Sequence, residues 1–228
     1  MTLLAKTAYT SFGIQVLTGG IDVWALRLNI PEEFNILRDV LILELIVQLI
    51  EGVFYMWLLY ALTTGQKNVT QKRYWDWFLT TPMMLFSLMA YMHFLRLQER
   101  GETITLREFT SQFRTIIFQV VVLNFLMLLF GYLGETGVLS VHTSVLLGFI
   151  PFGYYFYLLH KYFARGNTKQ ARTLYWYFAI VWSVYGLAAF MPYQVKNTMY
   201  NILDLFAKNF FGIFLAYVLY VNRIPENS

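Results

Sequence analysis

The chain has 228 residues, of which 58% are hydrophobic and only 13% charged, with no cysteine and a formal net charge of +4. This is too apolar for a soluble domain of that length, and the missing cysteines exclude disulfides and thiolate metal sites. The basic residues are scattered over short loops, so no nucleic-acid partner is expected.

Seven apolar spans are predicted as membrane helices, over 5–26, 34–62, 72–97, 105–132, 138–163, 169–191 and 194–222. As a helix, each can cross about 30 Å of hydrocarbon. The first is the weakest on hydropathy, because it holds Thr7, Tyr9, Thr10, Ser11, Gln15 and Thr18. Breakers separate the spans at Asn29-Ile30-Pro31, 63–68, 100–102, Gly134–Gly137, 165–167 and Met191-Pro192-Tyr193. No internal repeat or low-complexity segment occurs. The expected architecture is an all-α bundle of seven transmembrane helices in a lipid bilayer, forming one domain over 1–228. The start lacks a basic stretch and a small-residue cleavage site, so no removed signal peptide is expected. Asn68-Val69-Thr70 matches a glycosylation sequon, a motif common by chance.

Charge placement predicts orientation. Arg27, Arg38, Arg96, Arg100, Arg107, Arg114, Lys161, Arg165, Lys169, Arg172 and Arg223 fall on the side reached by the ends of spans one, three and five. Lys6, Lys67, Lys72 and Lys196 fall on the other. The positive-inside rule therefore puts the C-terminus in the cytoplasm and the N-terminus outside.

Six ionisable groups remain at membrane depth: Glu44, Glu51, Arg73, Asp76, Asp204 and Lys208. Such groups are functional candidates by default, although structural ion pairs between helices are the plain alternative. Lys208 is the most telling. A bare ammonium at the middle of a membrane helix costs roughly 2.5–3.5 kcal/mol even on insertion scales, so the amine must be paired, hydrated or chemically used. An amine in an apolar site can form a Schiff base with an aldehyde, and Asp204 at i−4 shares its helical face. Arg73, Asp76, Thr80 and Ser87 lie in one angular band of span three. Asn197, Asn201, Asp204 and Lys208 form a stripe on span seven. Glu44 and Glu51 nearly eclipse on span two with Gln48 between them, and Thr7, Ser11 and Gln15 step at i, i+4 on span one. Polar stripes on four helices can be interhelical hydrogen bonds; carboxylates, amides and hydroxyls together suit a hydrated path better.

These residues resemble the microbial (type 1) retinal rhodopsins. Arg73-Tyr-Trp-Asp76-Trp77-Phe-Leu-Thr80-Thr81-Pro82 is similar to the third-helix signature of that family, Leu203-Asp204-Leu-Phe-Ala-Lys208 to its seventh-helix signature, and Trp182-Ser-Val-Tyr185 to its sixth-helix aromatic pair. The resemblance implies all-trans retinal bound to Lys208 as a protonated Schiff base. Asp76 would be the main counterion and proton acceptor, Asp204 the second counterion and Arg73 the balancing cation. Trp77, Thr80, Thr81, Trp182 and Tyr185 would surround the chromophore, and Met127, Phe149 and Phe156 would close its ring end. A cationic Schiff base in low dielectric needs nearby anions to stay protonated.

Departures from the proton-pump pattern guide the functional expectation. The third-helix position eleven residues after the acceptor, where pumps commonly carry a carboxylate donor, is Ser87. The connection Met191–Asn197 has no acidic residue. Gly186 stands where many members have a helix-kinking proline. Ser11, Gln15, Glu44, Glu51, Asn197 and Asn201 resemble instead the first group of rhodopsins encoded by giant viruses of algae, which behave as light-gated cation channels. The resemblance implies passive conduction of monovalent cations along these residues and Arg73, inhibition by calcium, and candidate gate roles for Glu44 and Glu51. The competing expectation is a light-driven outward proton pump. A photosensor acting through a separate transducer and a non-retinal transporter are weaker readings. No enzymatic activity, catalytic residue or resident metal is expected.

Overall fold

The computed structural model describes residues 1–66 and 68–225. Lys67, counted above for the outer side, and residues 226–228 of the tail lie outside the described residues. Among the described residues, seven helical segments follow one another: α1 (Leu3–Ala25), α2 (Asn35–Thr63), α3 (Val69–Gln98), α4 (Leu106–Glu135), α5 (Val141–Ala164), α6 (Lys169–Ala188) and α7 (Tyr193–Val221). A short 3₁₀ turn, Glu32–Phe34, leads into α2. The predicted span limits match these within a few residues, the usual uncertainty of helix ends.

Local chemistry starts the helices where the sequence breaks. The Thr105 hydroxyl accepts from the Glu108 amide while Glu108 reaches back to the Thr105 amide, a capping box opening α4. Ser140 caps α5 and Thr168 caps α6. Gly101 and Gly166 turn the chain with φ of +65° and +67°, a region open to glycine at little cost. Two stretches widen to i→i+5 geometry. One ends α5 at His160–Ala164, where Arg96 donates to the carbonyls of Tyr162 and Phe163 at 2.9 and 3.0 Å. The other, Leu205–Asn209, interrupts α7 around Lys208. Such bulges gather at functional sites.

Each helix packs on its sequence neighbour, and α1 closes the ring against α7. The Ile224 amide bonds the Asn29 carbonyl at 2.8 Å, so the chain end lies on the face of the α1–α2 connection. At the opposite face, Lys196 pairs with Glu135, and Gln71 donates to the Glu135 carbonyl at 3.0 Å.

Burial runs opposite to that of a soluble protein. On α1, Ser11, Gln15, Thr18 and Asp22 are buried while Val16, Leu17, Ile21 and Trp24 are exposed. Exposed Leu and Phe side chains likewise cover α4. A polar stripe turned inward on α1 and apolar side chains turned outward suit hydrocarbon as the solvent. Five helical stretches are long and apolar enough to cross a membrane by composition; α1 and α6 fall short. For α1 the cause is its inward polar stripe.

Gly212 of α7 sits where α1, α2 and α7 meet. A Cβ there would collide with Asp22 Oδ2 and come within 2.7 Å of Gln48 Nε2. Gly212→Ala is therefore expected to lower stability by about 1–3 kcal/mol through overpacking, read as a lower thermal midpoint in lipid nanodiscs. Gly13→Ala, with nothing within 4 Å of its Cβ, should leave the midpoint unchanged or raise it.

Candidate functional site

The site is built on the wide turn of α7. Lys208 is buried there, and its Nζ approaches carboxylates of α3 and α2 more closely than the one on its own helix. It donates to Asp76 Oδ2 at 2.6 Å, lies 3.6 Å from Glu51 Oε1 and 3.9 Å from Asp204 Oδ1. Asp204, one turn earlier, is tied elsewhere. Its Oδ2 accepts from Arg73 at 3.1 Å and from the Tyr55 hydroxyl at 2.8 Å, and its Oδ1 accepts from the Tyr185 hydroxyl at 2.9 Å. Arg73 is fully buried. Its guanidinium also donates to Asn201 Oδ1 and to Asn197 Oδ1, the latter at 3.2 Å, and stands 5.1 Å from the Phe54 ring centre. Aromatic faces and amide oxygens thus replace the water that a buried arginine loses.

Asp76, Asp204, Arg73 and Lys208, predicted as one cluster, lie together. Glu51 joins them at the amine, which the sequence reading places only on the ion path. Two cations thus face three carboxylates, so the near-neutral balance expected from Asp76 and Asp204 alone carries one negative charge too many. A proton held among the carboxyls restores neutrality, which desolvation favours.

Beyond Lys208 lies a mostly apolar cavity of about 820 Å³, counted to its open mouth. Trp77, Thr81, Met127, Phe149, Trp182 and Tyr185 line it, as does Lys208 at its inner end. Thr81 donates to the Trp77 carbonyl at 2.7 Å and accepts from Asn124 at 2.8 Å. Trp77 meets Tyr185 edge-on. Gly186 leaves room for Phe149, whose ring atoms would lie 2.8 Å from a Cβ there. Two residues expected around the chromophore do not line this cavity. Phe156 is off the wall, behind Phe152 and against Trp182, because the ring one helical turn earlier fills the space it was assigned. Thr80 turns its hydroxyl to the Asp76 carbonyl at 2.9 Å instead of to the cavity. A long apolar chain ending in an aldehyde fits this lining: the buried amine is part of the wall, anions stand beside it, and aromatic faces flank the rest.

The remaining predicted path residues divide in two. Asn197 and Asn201 are bound into the arginine cluster, and Asn201 Nδ2 donates to Thr7 Oγ1 at 3.0 Å. Ser11 donates to the Asn201 carbonyl at 2.9 Å. Gln15 and Glu44 are buried, and their side-chain polar atoms have no partner among the described residues. Sequence reasoning misses Asp22, which is fully buried and accepts from Gln48 Nε2. The signal was present: Thr7, Ser11, Gln15, Thr18 and Asp22 continue one stripe. It also misses Tyr55, whose type is too common here to stand out. His93 is buried against Phe109 and Phe113.

Arg73→Gln is expected to cost about 3–5 kcal/mol, because it leaves the Asp204 carboxylate buried without its cation. Denaturant titration in mixed micelles checks this. Additional loss of Asp204 in Arg73→Gln/Asp204→Asn should recover part of the cost.

A model of bacteriorhodopsin-like proteins matches residues 4–222. The green-light absorbing proteorhodopsin of Gamma-proteobacterium EBAC31A08 is 22% identical over 187 residues, covering 73% of this chain and 69% of that protein. Among solved structures, the viral rhodopsin OLPVRII is 28% identical, with a TM-score of 0.82 over 96% of this chain and 98% of that one. Acetabularia rhodopsin I is 19% identical, with a TM-score of 0.75 over 97% and 95%, a likeness of fold. The chain is a multi-pass membrane protein and belongs to the bacteriorhodopsin-like family, the type 1 microbial rhodopsins, which bind retinal covalently to a lysine.

Proposed function

We propose that this rhodopsin is a light-gated channel that conducts monovalent cations passively, with its N-terminus outside. Lys208 is the attachment point, Asp76, Glu51 and Asp204 are the surrounding carboxyl groups, and calcium is an inhibitor. One observation carries the reading. Buried polar groups run along α1, α2, α3 and α7 from Thr70 and Asn197, through Arg73, Asn201 and the Lys208 cluster, to Gln15, Gln48 and Asp22. The apolar cavity lies to the other side, among α3, α4, α5, α6 and the inner face of α7. The placement of the basic loops supports the orientation.

Retinal held at Lys208 supplies light absorption and a change of shape at one end of this line. The protein's own part is then a matter of hydrogen bonds. Asp76, 2.6 Å from Nζ, is placed to accept a proton. When it does, Nζ loses its strongest anionic partner, and Glu51 and Asp204 must find other donors. Asp204 shares Tyr55 and Arg73 with Asn201, so a shift at Nζ reaches the constriction formed by Ser11, Asn197 and Asn201. Opening that constriction to water lets cations pass, with Glu51 as the central barrier and Glu44 towards the basic face.

A second reading, outward proton pumping, draws on the same Asp76 placement and on relatives such as "the proton pumping rhodopsin AR2" of Acetabularia acetabulum, similar in fold at 17% identity. Ser87 in place of a third-helix carboxylate weighs against it. Whole-cell current under visible light in retinal-supplied cells separates the two. A channel gives current that reverses near the cation equilibrium potential and falls with external calcium; outward current at every voltage would overturn the channel reading. Lys208→Ala should abolish both visible absorption and light-driven current. Glu51→Gln should keep the pigment but change photocurrent size or calcium sensitivity.

A further inference from the structure

One outward stripe of α6 changes its chemistry along its length. Lys169, Arg172, Thr173, Trp176, Tyr177 and Ile180 fall at i, i+3, i+4, i+7, i+8 and i+11, so they share a face. Together they line an open hollow on the outside of the bundle. Trp176 and Ile180 are 58% and 62% exposed. Lys169 and Arg172 are exposed too, and among the described residues no carboxylate pairs with either. Across the seam, Phe206 and Phe210 of α7 are also exposed, and the Phe210 ring centre lies 5.1 Å from that of Tyr177.

The stripe has the length and order of a lipid molecule. From Lys169 to Ile180 it spans about 16 Å at the helical rise, close to half of the roughly 30 Å of hydrocarbon in a bilayer. Two cations come first, at the end of α6 on the basic face. An indole of the kind that favours the interface follows, then aromatic and aliphatic surface. Long basic side chains can carry their charges out to the headgroups. A headgroup with net negative charge complements them, whereas a zwitterionic one brings its own cation; basic clusters at a bilayer surface attract acidic lipids for this reason. The seam also holds a bond that bears on the site. The Tyr177 hydroxyl donates to the Phe206 carbonyl at 2.7 Å, within the wide turn Leu205–Asn209 that presents Lys208. The bond lies at the surface, where a hydrocarbon chain laid over it would keep out competing water.

We propose that this stripe seats one acidic glycerophospholipid of the leaflet at the basic face. Its phosphate sits between Lys169 and Arg172, and one acyl chain runs along Trp176 and Ile180 and over the Tyr177–Phe206 bond. The lipid thereby steadies, from outside the retinal cavity, the turn that holds Lys208. Seating it requires neither retinal nor current, so the inference stands apart from the channel reading.

Tryptophan fluorescence tests the seat. The full chain is placed in nanodiscs of phosphatidylcholine with a minor share of phosphatidylglycerol. Bromine, which quenches indoles on contact, is carried on the chains of either the phosphatidylglycerol or an equal share of the phosphatidylcholine. Wild-type emission minus that of Trp176→Phe isolates the Trp176 signal. Its association with brominated phosphatidylglycerol is expected to exceed that with brominated phosphatidylcholine by about fivefold or more, the attraction of at least one basic group for an acidic surface. Lys169→Gln/Arg172→Gln should abolish the preference. Arg165→Gln, in the preceding connection and off the stripe, should keep it. Equal quenching by the two lipids overturns the seat, and so does an equal loss in Arg165→Gln, which would mean only diffuse attraction to the basic face. If the double variant does not assemble, Lys169→Gln and Arg172→Gln alone should each lose part of the preference, and full retention in both overturns it. With retinal bound, dark bleaching by hydroxylamine reads the turn. Phosphatidylglycerol should slow bleaching in the wild type but not in Tyr177→Phe, whose lipid preference should remain. No slowing in the wild type, or equal slowing in both, overturns the link through Tyr177.

Discussion

The contact between Lys208 Nζ and Asp76 Oδ2, 2.6 Å in a site without exposed solvent, is the constraint around which the molecule is arranged. An ammonium there is tolerable only beside anions, and each anion added must itself be balanced. Asp76 answers Lys208, and Glu51 and Asp204 stand within 4 Å of it. Arg73 answers Asp204, and Asn197, Asn201 and Tyr55 answer the hydrogen-bonding needs of Arg73 and Asp204. Removing any partner strands another, which ties α1, α2, α3 and α7 together at one level of the bundle.

That arrangement divides the protein lengthwise. On one side of Lys208, polar groups fill the contacts among α1, α2, α3 and α7. On the other, α3 to α7 enclose an aromatic cavity with little polar lining beyond Lys208, Thr81, Ser144 and the tyrosines. The wide turn Leu205–Asn209 serves both sides. It buries Lys208 towards the cavity and its neighbour Asn209 towards Thr18 of α1. Consecutive residues of a regular helix point about 100° apart, and the extra residue in the turn eases that spread.

Much of this could be read from the residues before any coordinates. The seven helices followed from apolar length and from Gly, Pro and Asn breakers. Lys208, Asp204, Asp76 and Arg73 stood out because charges at membrane depth are rare. What stayed hidden were features whose meaning depends on which helices face each other. Glu51 was legible as a buried carboxylate but not as a neighbour of Nζ, since that depends on the α2–α7 approach. Asp22 continues the polar stripe of α1 but lies in its last turns, where a carboxylate is ordinarily solvated, so that its burial against Gln48 and Gly212 was needed to mark it as internal. Phe156 was one of many aromatics on α5, and helical phase alone could not choose between it and Phe152.

The whole arrangement turns on a charge count: Lys208 and Arg73 against Glu51, Asp76 and Asp204, with one proton shared among the three carboxyls. Solid-state nuclear magnetic resonance of protein labelled at the aspartate and glutamate carboxyl carbons and at lysine Nζ counts these states directly. The expected result is a charged Nζ and one carboxylic acid signal lost only when one of these three residues is changed to its amide. Three ionised carboxylates around Nζ, or an uncharged Nζ in the dark, would contradict it.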